Sequence, residues 1–398
     1  MEKKRNLQNL AQGMIELSPP QTLRNLASEL MREESDVHTY RNRFGEIEYR
    51  EALVKLLKEY YNTENIAFDN ILATSGVRFK IAYSTLFFSF ERFFNPFFNK
   101  FTHFHKKSGA IYATLTALKK EGKTKVGVTN PFYTYHERQV MEITGNKPEY
   151  LQLSLDEDWN PDWNQLEKLL KGGMKGLIVC NPGNPSGAVL SEEQLKKYIE
   201  MTHEHQCYII FDEIYADLVW PPNKLHSALN TINLAEYPYV VVCRGFSKNL
   251  GCQSWRLGYA IANPETIKKL MVTHDPIYIS VPLQQHAVGK YLSQHIQDYA
   301  EHVNKEQEMM QANLKILSEA FSKAFGWKLI APRGSMYACF FHNSKTDLAA
   351  VLLGLEKGVG IAPGSMFFHG NPENSKIVRI HLGISTEKAK KIAENLLK

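Results

Sequence analysis

No run of about 20 apolar residues occurs anywhere in the 398-residue chain, which excludes a helical membrane anchor. Charge of neither sign dominates. The net charge is +5 and unclustered, so a nucleic acid or other polyanion has no electrostatic footprint to bind. Cysteine is scarce: Cys180, Cys207, Cys243, Cys252 and Cys339 lie far apart, without the close pairing of a metal site. Three of them sit in or at the end of apolar runs, as buried free thiols do, and a reducing compartment fits. The N-terminus, MEKKRNLQNL, carries no apolar stretch for a signal peptide, so a cytoplasmic location is expected. No internal repeat is visible.

What is present is an alternation of apolar strands and amphipathic helices. The runs at 71–76, 125–129, 176–180, 207–211, 239–243 and 259–262 read as strands. Between them lie helical patterns, such as 191–203, where Ser191 and Gln194 form a capping box. This is the signature of an α/β fold with a mostly parallel sheet covered on both faces. After Pro282 the pattern changes to a long helix reaching about Phe325, then short strands (336–341 and 377–381) and helices. The expected division is an N-terminal arm and helix over 1–36 with Thr22 as N-cap, a large domain over 37–281, and a smaller α+β domain over 282–398.

The chain is organised around Arg244 to Gly258, RGFSKNLGCQSWRLG, which follows the strand at 239–243. A lysine ammonium is a poor nucleophile at its free pKa of about 10.4 and becomes a good one when desolvated. Beside Lys248 stands the Ser247 hydroxyl, and eight residues on comes Arg256, whose planar fork suits a phosphate. Together they fit a lysine that forms an imine with a phosphorylated aldehyde, pyridoxal phosphate. Taken alone, a Ser-Lys pair is ordinarily a solvated loop, so the other strand ends matter. Asn181-Pro-Gly-Asn184-Pro-Ser-Gly187 follows one strand and holds an amide rigidly. Asp212-Glu-Ile-Tyr215 follows another, and a carboxylate there needs a partner such as a protonated pyridine nitrogen. Thr129-Asn-Pro-Phe-Tyr133 puts an aromatic ring where a flat cofactor could stack.

In combination and order, these motifs resemble the fold-type I, class I/II pyridoxal-phosphate-dependent aminotransferases over almost the whole chain. The resemblance implies that Lys248 anchors the cofactor and moves the substrate proton, and that Asp212 pairs with the ring nitrogen. It implies that Asn184 and Tyr215 bond the ring oxygen, that Tyr133 stacks on the ring, and that Ser247 and Arg256 bind phosphate. Arg379, in Ile-Val-Arg-Ile-His, would clamp the substrate carboxylate with Asn184 nearby, and Pro363-Gly364 matches a turn ahead of it. Tyr40, five residues before Gly45, would reach the phosphate of a neighbouring subunit, implying a homodimer with shared sites. The expected reaction exchanges an amino group between an L-amino acid and a 2-oxo acid. On the same scaffold the alternative is a carbon–sulfur β-lyase or another α-carbon eliminase. A non-catalytic protein of this fold is disfavoured because too little chain precedes Tyr40 for a DNA-binding domain.

Two departures stand out. Where the family often has a glycine in the N-terminal segment, this chain has Leu17-Ser-Pro-Pro20. More unusual is Val77 to Lys107, a stretch without glycine that holds ten of the 21 phenylalanines and no sustained periodicity. Removing it joins Thr74-Ser-Gly76 to Ser108-Gly109-Ala110 as TSGSGAIYATL, the family's phosphate loop. Small residues there aim backbone N–H groups at an anion from a helix N-terminus. Val-Arg can be encoded with a splice-donor sequence and Lys107 with an acceptor, so the segment reads as a retained intron. The alternative is a genuine insertion. The intron reading expects the chain to leave and re-enter at one point, with Ser108, Gly109 and Ala110 in the phosphate site.

Overall fold

The computed structural model describes residues 7–32, 36–39, 42–76, 109–155, 158–274, 281–370 and 375–398. In chain order the early elements are β1 (Gln8–Asn9), α1 (Gln21–Arg32), α2 (Ile47–Glu59), β2 (Ile71–Thr74), α3 (Ala110–Lys120), β3 (Val126–Asn130), α4 (Thr134–Thr144), β4 (Glu149–Gln152) and α5 (Trp163–Lys171). Next come β5 (Gly176–Cys180), α6 (Glu192–Glu204), β6 (Tyr208–Asp212), α7 (Ala228–Thr231), β7 (Val240–Gly245), β8 (Gly258–Ala262), α8 (Pro264–His274) and α9 (Pro282–Gln294). The last are α10 (Ile296–Phe325), β9 (Lys328–Ile330), β10 (Tyr337–Phe341), α11 (Asp347–Glu356), β11 (Val359–Gly360), β12 (Ala362–Pro363), β13 (Ile377–His381) and α12 (Thr386–Leu397).

A seven-stranded sheet in the order β2-β8-β7-β6-β5-β3-β4 forms the centre. From β7 to β4 all neighbours are parallel, while β8 runs antiparallel to both β7 and β2. The Ile and Val of β6 and β7 are buried throughout, as a sheet covered on both faces requires. Each such side chain contributes roughly 1.5–3 kcal/mol of burial. The chain steps outward from β3 to β4 and then returns to lay β5 on the other side of β3. The strand order therefore reverses between β3 and β5. In an open α/β sheet such a switch point leaves a crevice at the carboxyl ends of the strands.

A second sheet, β12-β13-β10-β9, is antiparallel throughout, and β1 pairs parallel with β11. The N-terminal segment is thus attached to the C-terminal part of the chain. Three details differ from the sequence reading. Thr22 lies inside α1, which starts at Gln21 directly after Pro20. The expected single helix from Pro282 to Phe325 is two, because His295 leaves the helical region with φ −134° and ψ 42°. β4, which had not been assigned, forms the sheet edge beside β3, half-exposed and short. The Ser191–Gln194 capping box forms on both sides, opening α6. All five cysteines are free thiols. Among the described residues no helix is long and apolar enough to cross a membrane, and no cluster of ligating side chains could hold a metal ion.

Candidate active site

Four parallel strands deliver polar groups to one edge of the large sheet. Tyr133 follows β3, Asn184 follows β5, Asp212 ends β6, and Ser247-Lys248 follows β7. Because β3, β5, β6 and β7 are parallel, these positions share the carboxyl side of the sheet. Asp212 is completely buried, and its Oδ2 lies 2.8 Å from His136 Nε2. His136 stands in the first turn of α4, its ring edge-on to Tyr133 at 5.4 Å. The sequence reading missed this histidine. Its signal is that His136 shares the buried side of α4 with Val140 and Ile143, where an uncompensated polar residue is costly.

Tyr215 is buried beside Asn184, whose Nδ2 donates to its hydroxyl at 3.5 Å. Asn184 Oδ1 in turn accepts from Arg379 Nη1 at 2.8 Å. Arg379 comes from β13, is nearly buried, and packs its guanidinium against Tyr337 at 4.0 Å and Phe367 at 4.5 Å. The Pro363-Gly364 turn lies one strand over, with Ala362 paired to Arg379. Gly364 is needed there, since a Cβ would meet the Ile377 carbonyl at 2.5 Å.

The end of the cleft around Arg256 is assembled from residues on both sides of the interruption. Gly76 adopts φ +78° and lies so close to Arg256 that a Cβ would sit 2.7 Å from Nη2. Arg256 itself takes a left-handed φ of +57°, a conformation costing about 1 kcal/mol outside glycine, and Nη1 donates to the Gln253 carbonyl. Burial draws its pKa below the ordinary guanidinium value, with Tyr133 nearby opposing. Gly109 (φ +138°) caps the N-terminus of α3, and Ala110 N–H donates to the Gly76 carbonyl at 3.3 Å. The chain therefore resumes where it left off, next to Arg256. Tyr40, Ser108 and residues 77–107 lie outside the described residues.

The N-terminal segment crosses the site. Lys248 Nζ donates to the Gly13 carbonyl at 3.0 Å, and Arg379 Nη2 donates to the Ala11 carbonyl at 2.6 Å. The glycine of this segment that reaches Lys248 is Gly13, upstream of the Leu17–Pro20 stretch. A Cβ at Gly13 would collide with the Tyr337 hydroxyl, so a larger residue there requires that ring to shift. Leu17 instead packs its carbonyl against Gly251. His381 lies two residues beyond Arg379 and bonds the Asn9 carbonyl at 3.1 Å. Burial pushes its pKa down to about 4, and the Arg379 and Lys248 cations act in the same direction.

The family described as "Aminotransferase class I and II" matches residues 106–396. The chain belongs to that family. Its members use pyridoxal 5'-phosphate, and the enzyme is a pyridoxal-phosphate-dependent transaminase. Among curated relatives, the (5-formylfuran-3-yl)methyl phosphate transaminase of Methanocaldococcus jannaschii is 27% identical over 361 residues, covering 90% of this chain and 82% of that protein. The aspartate aminotransferase of Bacillus subtilis is 25% identical over 280 residues, covering 67% of this chain and 68% of that protein. In fold, the aromatic aminotransferase of Pyrococcus horikoshii superposes with a TM-score of 0.79 at 20% identity, covering 98% of this chain and 95% of that one. The family match begins at residue 106, at the far end of the Phe-rich interruption.

The cleft fits the cofactor. A buried carboxylate backed by a histidine suits a protonated ring nitrogen, and the notch that a Cβ on Gly76 would fill, beside Arg256 and the start of α3, suits a phosphate.

Proposed function

We propose that Lys248 carries the cofactor and transfers the proton at the substrate α-carbon, in an enzyme that passes an amino group from an L-amino acid to a 2-oxo acid. When bound, pyridoxal phosphate supplies an electron sink for the pair released at that carbon. Asp212 would hold the proton on the ring nitrogen, with His136 fixing the carboxylate's orientation. Asn184 and Tyr215 would hydrogen-bond the ring oxygen, and Tyr133 would cover the ring. Arg256, Ser247 and the backbone of Gly76, Ser108, Gly109 and Ala110 would take the phosphate. Arg379, held in plane by Asn184 and the two aromatic rings, clamps the substrate carboxylate. Gly13 and Ala11 lie over Lys248 and Arg379 and exclude water from the reacting end.

The Asp212–His136 pair carries this reading. A fully buried carboxylate at a strand end, held in place by an imidazole at 2.8 Å and by the Ile214 N–H at 3.3 Å, is a fixed acceptor suited to a protonated ring nitrogen. We further assign the working form as a homodimer in which Tyr40 completes the neighbour's phosphate site, in a reducing cytoplasm where the five free thiols are stable. A biosynthetic role in amino-acid metabolism goes with it. The test is reductive trapping with borohydride, which should leave the cofactor's mass on the peptide containing Lys248. Lys248→Ala should remain folded and lose both that label and amino transfer. Wild-type turnover in that variant would overturn the assignment.

A further inference from the structure

A second set of buried polar residues joins the segments that carry Asp212 and Lys248. Side chains alternate along a strand, so Asp212 and Glu213, at the end of β6, fall on opposite faces of the sheet. Glu213 Oε2 accepts from Arg244 Nε at 2.9 Å and Nη2 at 2.7 Å, and from the Ser227 hydroxyl at 3.0 Å. The Arg244 guanidinium, on β7, lies 4.1 Å over the ring of Tyr61, just past α2. The Tyr61 hydroxyl donates to Asp217 Oδ1, and Asp217 Oδ2 accepts from Asn249 Nδ2 at 2.5 Å. Asn249 Nδ2 also donates to the Tyr299 hydroxyl at 2.9 Å. Gln307 donates to the Asp217 carbonyl at 2.6 Å, so α10 holds both ends of the Asp217–Asn249 pair.

Glu213, Arg244, Asp217, Asn249 and Tyr299 are all buried, and the mechanism above uses none of them. Yet the two ends of the network sit beside groups that it does use. Glu213 follows Asp212, and Asn249 follows Lys248. Lys248 and Asn249 stand in a turn beyond the ladders of β7, whose pairing ends at Gly245. The loop is closed at its base, where Cys252 N–H donates to the Phe246 carbonyl at 3.2 Å. Between those points the turn is pinned to the core by the Asn249 amide. That amide cannot rotate away without leaving buried acceptors unpaired, which is the costly way to lose a hydrogen bond.

Resting on the assignment of Lys248 as the cofactor's anchor and proton carrier, we infer that Asn249 is a positioning residue for that lysine, held in place by Asp217 and Tyr299. With the backbone at 249 tied to the core, the adjoining Lys248 leaves the turn in one direction. A group that moves a proton at a single carbon must be held to within about 0.5 Å, and its supporting contacts supply that precision. Glu213 and Arg244 tie the strand of Asp212 into the same frame. The partner of the ring nitrogen and the lysine are thereby set relative to each other from behind the cleft, by residues that touch neither cofactor nor substrate.

The experiment uses the holoenzyme and follows a single turnover by the cofactor's absorbance. The substrate is whichever standard L-amino acid the wild type converts fastest, with hydrogen or deuterium at the α-carbon. Asn249→Ala should slow turnover per labelled site by about 10²-fold, the effect of misplacing a reacting group by about 1 Å. The isotope effect on that rate should rise, because proton transfer then limits it. A merely structural role would lower thermal stability and the fraction of sites labelled by borohydride, with both readouts unchanged, and that result overturns the inference. Reversing the pair with Asp217→Asn and Asn249→Asp together keeps one amide against one carboxylate and should recover most of the rate. No recovery would overturn Asp217 as the anchor. Should Asn249→Ala yield no folded protein, Tyr299→Phe decides. Losing that partner should slow turnover about 5-fold, the worth of one hydrogen bond, and no change overturns the inference. Label away from Lys248 overturns both readings, and label on Lys248 with an unchanged rate overturns only the role of Asn249.

Discussion

On one wall of the cleft, Tyr133, Asn184, Asp212 and Lys248 each follow or end a parallel strand of a single sheet. On the other, Arg379 and Tyr337 belong to a separate antiparallel sheet, and Ala11 and Gly13 reach them from near the chain's beginning. The first wall, proposed to hold the cofactor, is positioned by backbone pairing within one layer, so each group's place is fixed by its strand. The second wall, proposed to bind the substrate, depends on three separate segments meeting, and its geometry rests on side-chain packing. The first arrangement suits chemistry common to a family; the second can vary from one enzyme to the next without disturbing the first.

The comparison can be broken most severely at the phosphate end of the cofactor wall. Deleting residues 77–107 should restore a continuous TSGSGA loop against Arg256 and tighten pyridoxal phosphate binding by roughly 10³-fold, the value of two or more charge-assisted hydrogen bonds. Fluorescence titration of the apoprotein checks it; equal affinity with and without the segment would favour a genuine insertion. Sequencing of mature transcripts gives an independent answer, since message containing the segment contradicts an intron. Asp212→Ala comes next. It should slow amino transfer on the order of 10³-fold in single-turnover measurements while the cofactor still labels Lys248, because a preorganised charge partner is lost.

The substrate wall should respond differently. Arg379→Lys should raise KM for the amino acid by about 10²-fold and leave the cofactor's absorbance unchanged, since one ammonium cannot replace a planar fork held by Asn184. Steady-state kinetics beside the absorbance spectrum test the split; a changed spectrum would mean the two walls are coupled. Smallest is Gly13→Ala, whose Cβ meets the Tyr337 ring and should raise KM about 10-fold through local overpacking. Pairing it with Tyr337→Phe, which removes the hydroxyl and keeps the ring on Arg379, should recover part of the loss, and no recovery would place the strain elsewhere.

What could be read from sequence follows the same division. Asp212, Asn184 and Lys248 stand next to apolar runs that can only be buried strands, so pattern and polarity together mark them. Gly13 is not marked in this way. Its importance lies in the Tyr337 hydroxyl, more than 300 positions away, and no local rule distinguishes it from a loop glycine. The Leu17–Pro20 stretch drew attention for its position, yet its backbone serves to pack against Gly251. His136 was hidden because a histidine on a helix's buried side looks like any core residue until its partner is known. The break at His295 was equally invisible, since helical periodicity runs on both sides of it and only the packing of α9 and α10 against different partners separates them.

The parallel pairing of β1 with β11 has a consequence for how the protein is made. Arg379 and the Ala11 carbonyl are 368 residues apart in sequence, and His381 and the Asn9 carbonyl 372. At roughly 5–20 residues per second of synthesis, the first segment waits on the order of 20 s or more before its partners exist. The large sheet, whose strands all lie before residue 263, can assemble in that interval. Closure of such a distant contact carries a loop-entropy cost that only the finished sheets can offset. A ribosome-bound chain stalled before β13 would therefore already present the wall proposed for the cofactor, while lacking Arg379, the residue proposed to hold the substrate's carboxylate.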